Sequence, residues 1–189
     1  FDAHGRVRRF EYQGNLKLAE GLSAKFGAER EEQRMTSASP GNNTADYALV
    51  PQSADTNSVY GELRLTPLIG LTLNGGVRHD DQSRFGGNTV LTGGAVYTPN
   101  AGQTVLRASY DEGFKAPSLY QLFSIYGSAV LQPEQAKGWS VGAEQSLGEV
   151  FHASATWFER ETENLIDFAF CPTTGTLPAA CYIPGTTTT

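Results

Sequence analysis

The stretch VYGELRLTPLIGLTLNGGVR, from Val59 to Arg78, contains two alternating segments separated by a short run of turn-forming residues. In the first segment, apolar or small residues at positions 59, 61, 63 and 65 alternate with polar ones at 60, 62, 64 and 66. The second segment repeats this pattern from Leu71. A period of two is typical of a β-strand whose two faces meet different environments. With only Pro67–Gly70 between the segments, the stretch predicts an antiparallel pair of strands.

The same alternation recurs on both sides of this pair and predicts eight strands. They are Phe10–Leu18, Leu22–Glu29, Val59–Thr66, Leu71–Arg78, Val90–Thr98, Thr104–Tyr110, Trp139–Leu147 and Phe151–Arg160. The least regular is Val90–Thr98, because Val90 and Leu91 are adjacent and leave its parity open. These eight alternating segments predict that the chain is all-β.

The connections between the predicted strands alternate in length. Short ones are Ala19–Gly21, Pro67–Gly70, Pro99–Gln103 and Gly148–Glu149, and long ones are Met35–Asn57, Asp81–Thr89 and Asp111–Gly138. Up-and-down barrels of the outer membrane have short periplasmic turns and long extracellular loops. The polar face of the strands also carries charges at mid-strand, as expected beside a water-filled lumen. The sequence therefore predicts an antiparallel transmembrane β-barrel segment of about eight strands.

This interpretation assigns a direction to each face. Outward-facing residues, towards lipid, are predicted to be Leu63, Leu73, Ala143 and Ala155. Inward-facing residues are predicted to be Arg64, Arg78, Arg107 and Glu144. A soluble eight-stranded carrier would reverse these directions, placing Leu63, Leu73 and Val141 in a packed interior, and would pair its first strand with its last.

Composition excludes several other classes of function. The 189 residues have a net charge of −6 and no basic stripe, so a nucleic-acid partner is not expected. No run of about 18 apolar residues predicts a membrane-spanning helix, although a barrel strand needs only ~9–11 residues. Nucleophile elbows, phosphate-binding loops and zinc spacing are all missing from the sequence. We therefore expect a protein that is not an enzyme and that needs no cofactor.

Two local features could bind metal or form a crosslink. Asp80 and Asp81, directly after His79, offer ligands for calcium, although calcium prefers about 6–8 oxygens. Cys171 and Cys181 lie in a tail rich in Thr, Pro and Gly. An even pair of cysteines in a loop predicts a disulfide and an oxidising compartment.

One long segment and its flanks carry a family resemblance. GFKAPSLYQLFSIYG begins at Gly113, and LQPEQAKGWSVGAEQ follows from Leu131. Together they resemble the TonB-dependent outer-membrane receptors, most closely the vitamin B12 transporter group. The motif residues are Gly113, Phe114, Lys115, Ala116, Pro117, Pro133 and Glu134. The resemblance covers about Ser58 to Phe168; the loop departs from the family at 128–130, and Ser140 replaces a residue that is commonly acidic or bulky and polar.

The resemblance implies a fold and a function. Residues 1–189 would be part of a closed barrel of about 22 strands, without the plug domain and the C-terminal strands. The barrel would lie in the bacterial outer membrane, in contact with lipid. With the plug, it would bind a corrinoid or a ferric siderophore, and TonB would drive uptake. Aromatic residues of the long loop, namely Tyr120, Phe123 and Tyr126, are the candidate ligand contacts.

Two other interpretations of the motif and the barrel remain open. The prolines Pro117 and Pro133 could serve only to end strands, because proline has no N–H for the ladder. The same barrel could also act as an adhesin or a phage-docking protein without import. Only a plug sequence upstream of this chain would decide between import and docking.

Overall fold

The computed structural model describes residues 2–38, 50–124, 127–148 and 150–167, and in these ranges it contains eight strands and one short helix. The strands are β1 (Asp2–Ala19), β2 (Leu22–Ala38), β3 (Val50–Leu68), β4 (Leu71–Gln82), β5 (Gly86–Tyr97), β6 (Thr104–Lys115), β7 (Glu134–Leu147) and β8 (Phe151–Glu163). The helix α1 (Leu119–Phe123) lies between β6 and β7. No helix in these ranges is long and apolar enough to cross a membrane.

The strands form one antiparallel sheet in the order β1 to β8, so every strand pairs with its neighbours in sequence. Within the described ranges β1 and β8 do not pair with each other. The all-β, up-and-down prediction is therefore confirmed, and the first-to-last pairing that a small closed carrier would need is not seen among these residues.

The strands extend further than the alternation predicted, mainly at the end opposite the short turns. β1 begins at Asp2 instead of Phe10, and β2 continues to Ala38. The predicted long connection Asp81–Thr89 was wrong, because a three-residue turn, Ser83–Phe85, joins β4 to β5. In that hairpin the Gln82 side chain accepts hydrogen bonds from the backbone N–H groups of Arg84 and Phe85, at 2.7 and 2.9 Å. A side chain that satisfies turn donors in this way lets the ladder run to the tip.

The short turns form a continuous rim at the other end. Gly21, between β1 and β2, has a φ of +73°, which a residue with a side chain adopts with strain. Its carbonyl accepts a hydrogen bond from Thr66 of β3 at 2.7 Å. The carbonyl of Gly70 accepts one from Thr98 at 2.8 Å in the same manner. Each tight turn is thus bonded to the next hairpin, which fixes the register of the sheet at this end.

The two faces of the sheet differ in the way predicted. Leu63 is paired beside Gly75, and Leu65 beside Leu73, while Arg64 and Arg78 lie on the opposite face. Ala143 and Ala155 are direct partners on the apolar face, whereas Arg107 and Glu144 form an ion pair of 2.7 Å on the polar one.

Curvature is indicated by contacts that skip a strand on the polar face. The Tyr60 hydroxyl of β3 donates to Glu11 of β1 at 2.9 Å, and Arg78 of β4 reaches Glu29 of β2 at 3.6 Å. Side chains converge on the concave side of a curved sheet, so the polar face is the inward face. Leu63, Leu73 and Val141 consequently lie on the outward face, which favours the membrane barrel over the soluble carrier.

The apolar part of the outward face has a definite upper limit. On β1 it ends with Tyr12 and Phe10, both about two-thirds exposed. Beyond Phe10 the outward side chains are charged, beginning with Arg8 and its cross-strand neighbour Glu32. Aromatic residues favour the membrane–water interface. The upper third of β1, β2 and β3 therefore projects beyond the apolar band, away from the short turns.

Candidate functional site

The inward face of β1–β4 carries a network of ion pairs near its upper end. Arg9 contacts Glu29 at 3.5 Å and also pairs with Glu31. Arg78 contacts Glu29 at 3.6 Å and Asp80 at 2.8 Å, and its guanidinium lies 5.8 Å from the centre of the Tyr60 ring. The carboxylates of this network are shielded by their arginine partners even though they line an open face.

Glu31, at the level beyond the apolar band, illustrates how the network holds charge. Burial raises the pKa of its carboxyl, but hydrogen bonds from Gln33 and Arg9 outweigh burial and keep the pKa below the usual range. The carboxylate therefore stays ionised at neutral pH. Below the upper ends of the strands, the lining is thus charged and internally bonded, as suits a water-filled lumen.

The segment from Ala116 to Pro133, which we call the inner loop, begins and ends at the family motif. The Lys115 amine lies 3.2 Å from the Glu134 carboxylate, where the last residue of β6 pairs with the first of β7. Glu134 also accepts a hydrogen bond from the backbone N–H of Ile166 at 2.9 Å. That bond, followed by the one from Lys115, lowers the pKa of Glu134. The two halves of the motif thus close the base of the inner loop.

Helix α1 begins the inner loop with a capping box. The Ser118 hydroxyl accepts from the Gln121 backbone N–H at 3.2 Å, and the Gln121 side chain accepts from the Ser118 N–H at 2.9 Å. This reciprocal pair satisfies two of the free donors at a helix start. After the helix, the Ser128 N–H bonds to the Gln121 carbonyl at 2.8 Å, so the chain turns back compactly.

The apolar side of α1 docks on the inward face of β2 and β3. Leu119 and Leu122 are each 5% exposed, and Leu119 belongs to a small core with Met35 and Ala54. Glu31 pairs with Arg9, and Met35 is separated from Glu31 by an even number of residues along β2. Met35 therefore lies on the same inward face as Arg9 and Glu31. The inner loop therefore folds into the mouth, by which we mean the upper end of the inward face.

Arg84 connects the docked helix to the wall. Its guanidinium donates to the Ser53 carbonyl at 2.7 Å and to the Gln52 side chain at 3.1 Å. The same group lies 4.6 Å from the centre of the Phe123 ring, within the range of a cation–π contact. No described carboxylate forms an ion pair with Arg84. The mouth thus presents a guanidinium group whose described contacts are all with uncharged groups.

The residues predicted to contact the ligand have different surroundings. Tyr120 is on α1 and 39% exposed, whereas Phe123 packs against the small core and under Arg84. Tyr126 lies outside the described residues. Of the motif residues, Gly113, Phe114 and Lys115 end β6, Pro117 is buried before α1, and Glu134 begins β7 directly after Pro133. Ala116 lies between β6 and Pro117 and is half-buried.

The proposed calcium ligands are not brought together. Asp80 and Asp81 are consecutive residues of β4, so their side chains point to opposite faces, and Asp80 is paired with Arg78. No cluster of three potential metal ligands occurs in the described ranges. Cys171 and Cys181 lie outside those ranges, so the disulfide stays a prediction.

Two functional features were missed by sequence reasoning. The capping box of Ser118 and Gln121 is a recognisable helix-start signal that would have predicted α1 inside the long loop. The bridge made by Arg84 had no such signal, because it depends on contacts with residues 31 and 39 positions away in sequence.

A cavity of about 490 Å³ also lies at the upper ends of β1–β3, lined in part by His4, Met35 and Gln52.

Comparisons with known proteins agree with this architecture. The family model for the TonB dependent receptor-like β-barrel matches residues 2–189. A variant of the ferric enterobactin receptor PfeA from Pseudomonas aeruginosa, solved with enterobactin, superposes with a TM-score of 0.75 at 22% identity, covering 90% of this chain and 29% of that one.

Two further structures show the same fold. The siderophore receptor PirA from Acinetobacter baumannii gives a TM-score of 0.72 at 19% identity, covering 85% of this chain and 27% of PirA. The iron transporter FrpB from Neisseria meningitidis gives 0.67 at 18% identity, covering 86% of this chain and 30% of FrpB. The chain spans less than a third of these structures. It belongs to the TonB-dependent receptor family and is part of an outer-membrane β-barrel.

Proposed function

We propose that the protein containing this chain is a receptor that binds a scarce ferric siderophore outside the cell and imports it with energy supplied through TonB. The observation that carries the proposal is the inner loop, whose helix α1 is held at the mouth by the packing of Leu119 on Met35 and Ala54 and by Arg84, which joins Phe123 to the wall. A loop on a rigid wall, above a polar lumen, is suited to capture a small ligand.

The chemistry at the mouth favours an anionic ligand. Arg84 is exposed and faces no described carboxylate, and it is stacked on the aromatic ring of Phe123. Ferric siderophores that bind iron through catecholate oxygens carry flat aromatic rings and a net negative charge, so an arginine–aromatic pair suits them. The similar structures include receptors whose names specify siderophores, which supports the same class. Tyr120, also exposed on α1, would add a second aromatic contact.

A corrinoid is the second candidate ligand. It is favoured by the sequence resemblance of residues 58–168 to the vitamin B12 transporter group, including the motif that closes the base of the inner loop at Lys115 and Glu134. Binding of a corrinoid would depend less on a positive charge at the mouth. The two candidates therefore differ in how strongly uptake should depend on Arg84.

The test is growth of a bacterial strain that lacks its own siderophore and corrinoid receptors and expresses the full-length protein. We expect growth on a ferric catecholate as the only iron source, and loss of that growth when TonB is deleted. Growth that depends on a supplied corrinoid instead would transfer the proposal to the second ligand. Expression at the cell surface with neither kind of uptake would contradict import and favour an adhesin or phage-docking role.

A further inference from the structure

The outward face beyond the aromatic residues Phe10 and Tyr12 is unevenly charged from one side of the sheet to the other. We call the outward side chains beyond this level the outer rim. On the β1–β3 side the outer rim carries Arg6, Arg8, Glu32, Arg34 and Asp55, and Arg30 lies at its lower edge, opposite Phe10. On β6–β8 the outward side chains beyond the aromatic residues of those strands, Tyr110, Trp139 and Trp157, belong to the same rim, and they are Glu112, Lys137, Glu159, Glu161 and Glu163. One side therefore has an excess of positive charge and the other an excess of negative charge.

The acidic residues of the β1–β3 side neutralise only part of its positive charge. Arg30 pairs with Glu32 at 3.2 Å, and Arg34 pairs with Asp55 at 2.7 Å. The carboxylates of Glu32 and Asp55 are therefore each already paired with an arginine. Among the described residues no ion pair involves Arg6 or Arg8, and both are exposed. Two arginines thus stay unneutralised on the outward surface.

The register adds an independent observation. Arg6 of β1 is the direct cross-strand partner of Arg34 of β2. Like charges placed directly opposite each other destabilise a sheet. Such a pair is relieved when an anion lies between the two guanidinium groups. Asp55 already pairs with Arg34, so Arg6 is the guanidinium of this pair that an anionic partner would neutralise.

The height of the arginines indicates which anion is available. Arg8 is two residues beyond Phe10, about 7 Å along the strand, and Arg6 is about 13 Å beyond it. Phe10 and Tyr12 mark the interface with the membrane, because aromatic rings favour the headgroup level. Arg8 and Arg6 therefore lie where lipid phosphates of the outer leaflet are found, with their side chains pointing towards the lipid.

We propose that the β1–β2 side of the outer rim is a binding site for a phosphate-bearing lipid headgroup of the outer leaflet, contacted by Arg6 and Arg8. Guanidinium groups bind phosphate in a bidentate manner, and their long stems can lie along the apolar band below. The acidic β6–β8 side should repel the same headgroup. The lipid would then bind at one place on the wall rather than evenly around it.

The experiment measures binding of bisphosphorylated lipid A to the full-length receptor in a non-ionic detergent, by native mass spectrometry at fixed ionic strength. Each basic side chain near a membrane surface contributes an attraction worth about a 5-fold change in affinity. The double variant Arg6→Ala/Arg8→Ala should therefore bind about 30-fold more weakly. The variant Arg6→Lys/Arg8→Lys keeps both charges and should retain most of the binding.

Lys137→Ala is the matched control, since Lys137 is exposed on the outward face of β7, two residues beyond the aromatic Trp139, and lies beside Glu112 and Glu161. It should leave lipid A binding unchanged. Equal binding by the double alanine variant and the native protein would overturn the proposal, and so would an equal loss in Lys137→Ala. Circular dichroism checks that each variant keeps its sheet. If the alanine variant does not fold, the loss of native binding in high salt decides the question, because a phosphate contact is screened and an apolar one is not.

Discussion

Ser58 and Val59 are consecutive residues of β3, yet Ser58 is 3% exposed and Val59 is 58% exposed. In a water-soluble protein the serine would be expected outside and the valine inside. Ser58 accepts a hydrogen bond from Arg78 on the inward face, whereas Val59 lies on the open outward face. This contrast shows that the polarity of the side chains on each face matches the medium that the face meets, which is lipid on the outward face and water on the inward face.

The largest effect should follow from placing a charge on the outward face. Leu63→Arg should destabilise the barrel by about 2–4 kcal/mol, because a guanidinium at mid-wall must enter the hydrocarbon region. The measurement is the fraction of full-length receptor inserted in phospholipid vesicles across a guanidinium titration. Gln13→Arg, on the inward face near Glu11, is the control and should cost less than about 1 kcal/mol. Equal losses in both variants would show that the two faces do not differ in solvent.

A second effect should appear where the inward face is covered. Leu119→Ala removes a side chain that is 5% exposed and packs with Met35 and Ala54, so it should weaken docking of α1 by about 2–3 kcal/mol. The inner loop would then be cleaved faster by a protease added outside the cell. Val130→Ala, at a site that is 65% exposed, should leave cleavage unchanged. If both variants are cleaved at the native rate, the docked arrangement is not the one in solution.

A smaller change is expected within the inward network. Glu29→Gln removes the charge that Arg9 and Arg78 share, but each arginine keeps a second carboxylate, Glu31 or Asp80. The stability should fall by about 0.5–1.5 kcal/mol, the usual range for one polar interaction. Chemical unfolding of the full-length protein in detergent measures it. Glu161→Gln, on the outward side of β8, should show no change, and a loss of the same size there would argue against a special inward network.

The smallest effect concerns acid. The folded pKa of Glu134 is lowered, first by the hydrogen bond from the Ile166 N–H and then by Lys115. Its stabilising contribution is therefore complete above the ordinary glutamate pKa and is lost as the pH falls through the lower, folded value. Proteolysis at the base of the inner loop should stay constant from pH 7 to about pH 5 and rise only below the ordinary glutamate range, about 4.3. In Glu134→Gln that rise should disappear. An unchanged acid response in this variant would assign the effect to another carboxyl.

Sequence reasoning predicted the sheet well but the loops poorly. The alternation around Leu63 and Leu73 located the strands and their faces, because neighbouring side chains of a strand always point to opposite sides. It underestimated strand length beyond Phe10, where the outward face becomes charged and the contrast between the faces disappears. The turn at Ser83–Phe85 was missed although Gly86, which follows it with a φ of +76°, is a glycine signal of a three-residue hairpin loop. The Gln82 side chain satisfies the donors of the turn, and no periodic pattern predicts that contact.

The candidate site was predicted only in part. The long connection between β6 and β7 was predicted from the sequence, and the Lys115–Glu134 contact closes that connection at the motif residues. The role of its aromatic residues as ligand contacts stays a prediction. The partners of the inner loop were not recognised, since nothing near Leu119 in sequence indicates that it meets Met35 and Ala54. Contacts between distant segments leave no periodic signal.

What the sequence alone determined was the strand order, the partition of residues between two faces and the family, since period-two alternation and a contiguous motif are local properties. The tertiary structure decided which face is concave and where the inner loop lies. Both depend on the curvature of the whole sheet, which brings Arg78 to Glu29 across an intervening strand and Arg84 to Phe123 across the mouth. Curvature is the summed twist of many strand pairs, so no single stretch of sequence encodes it.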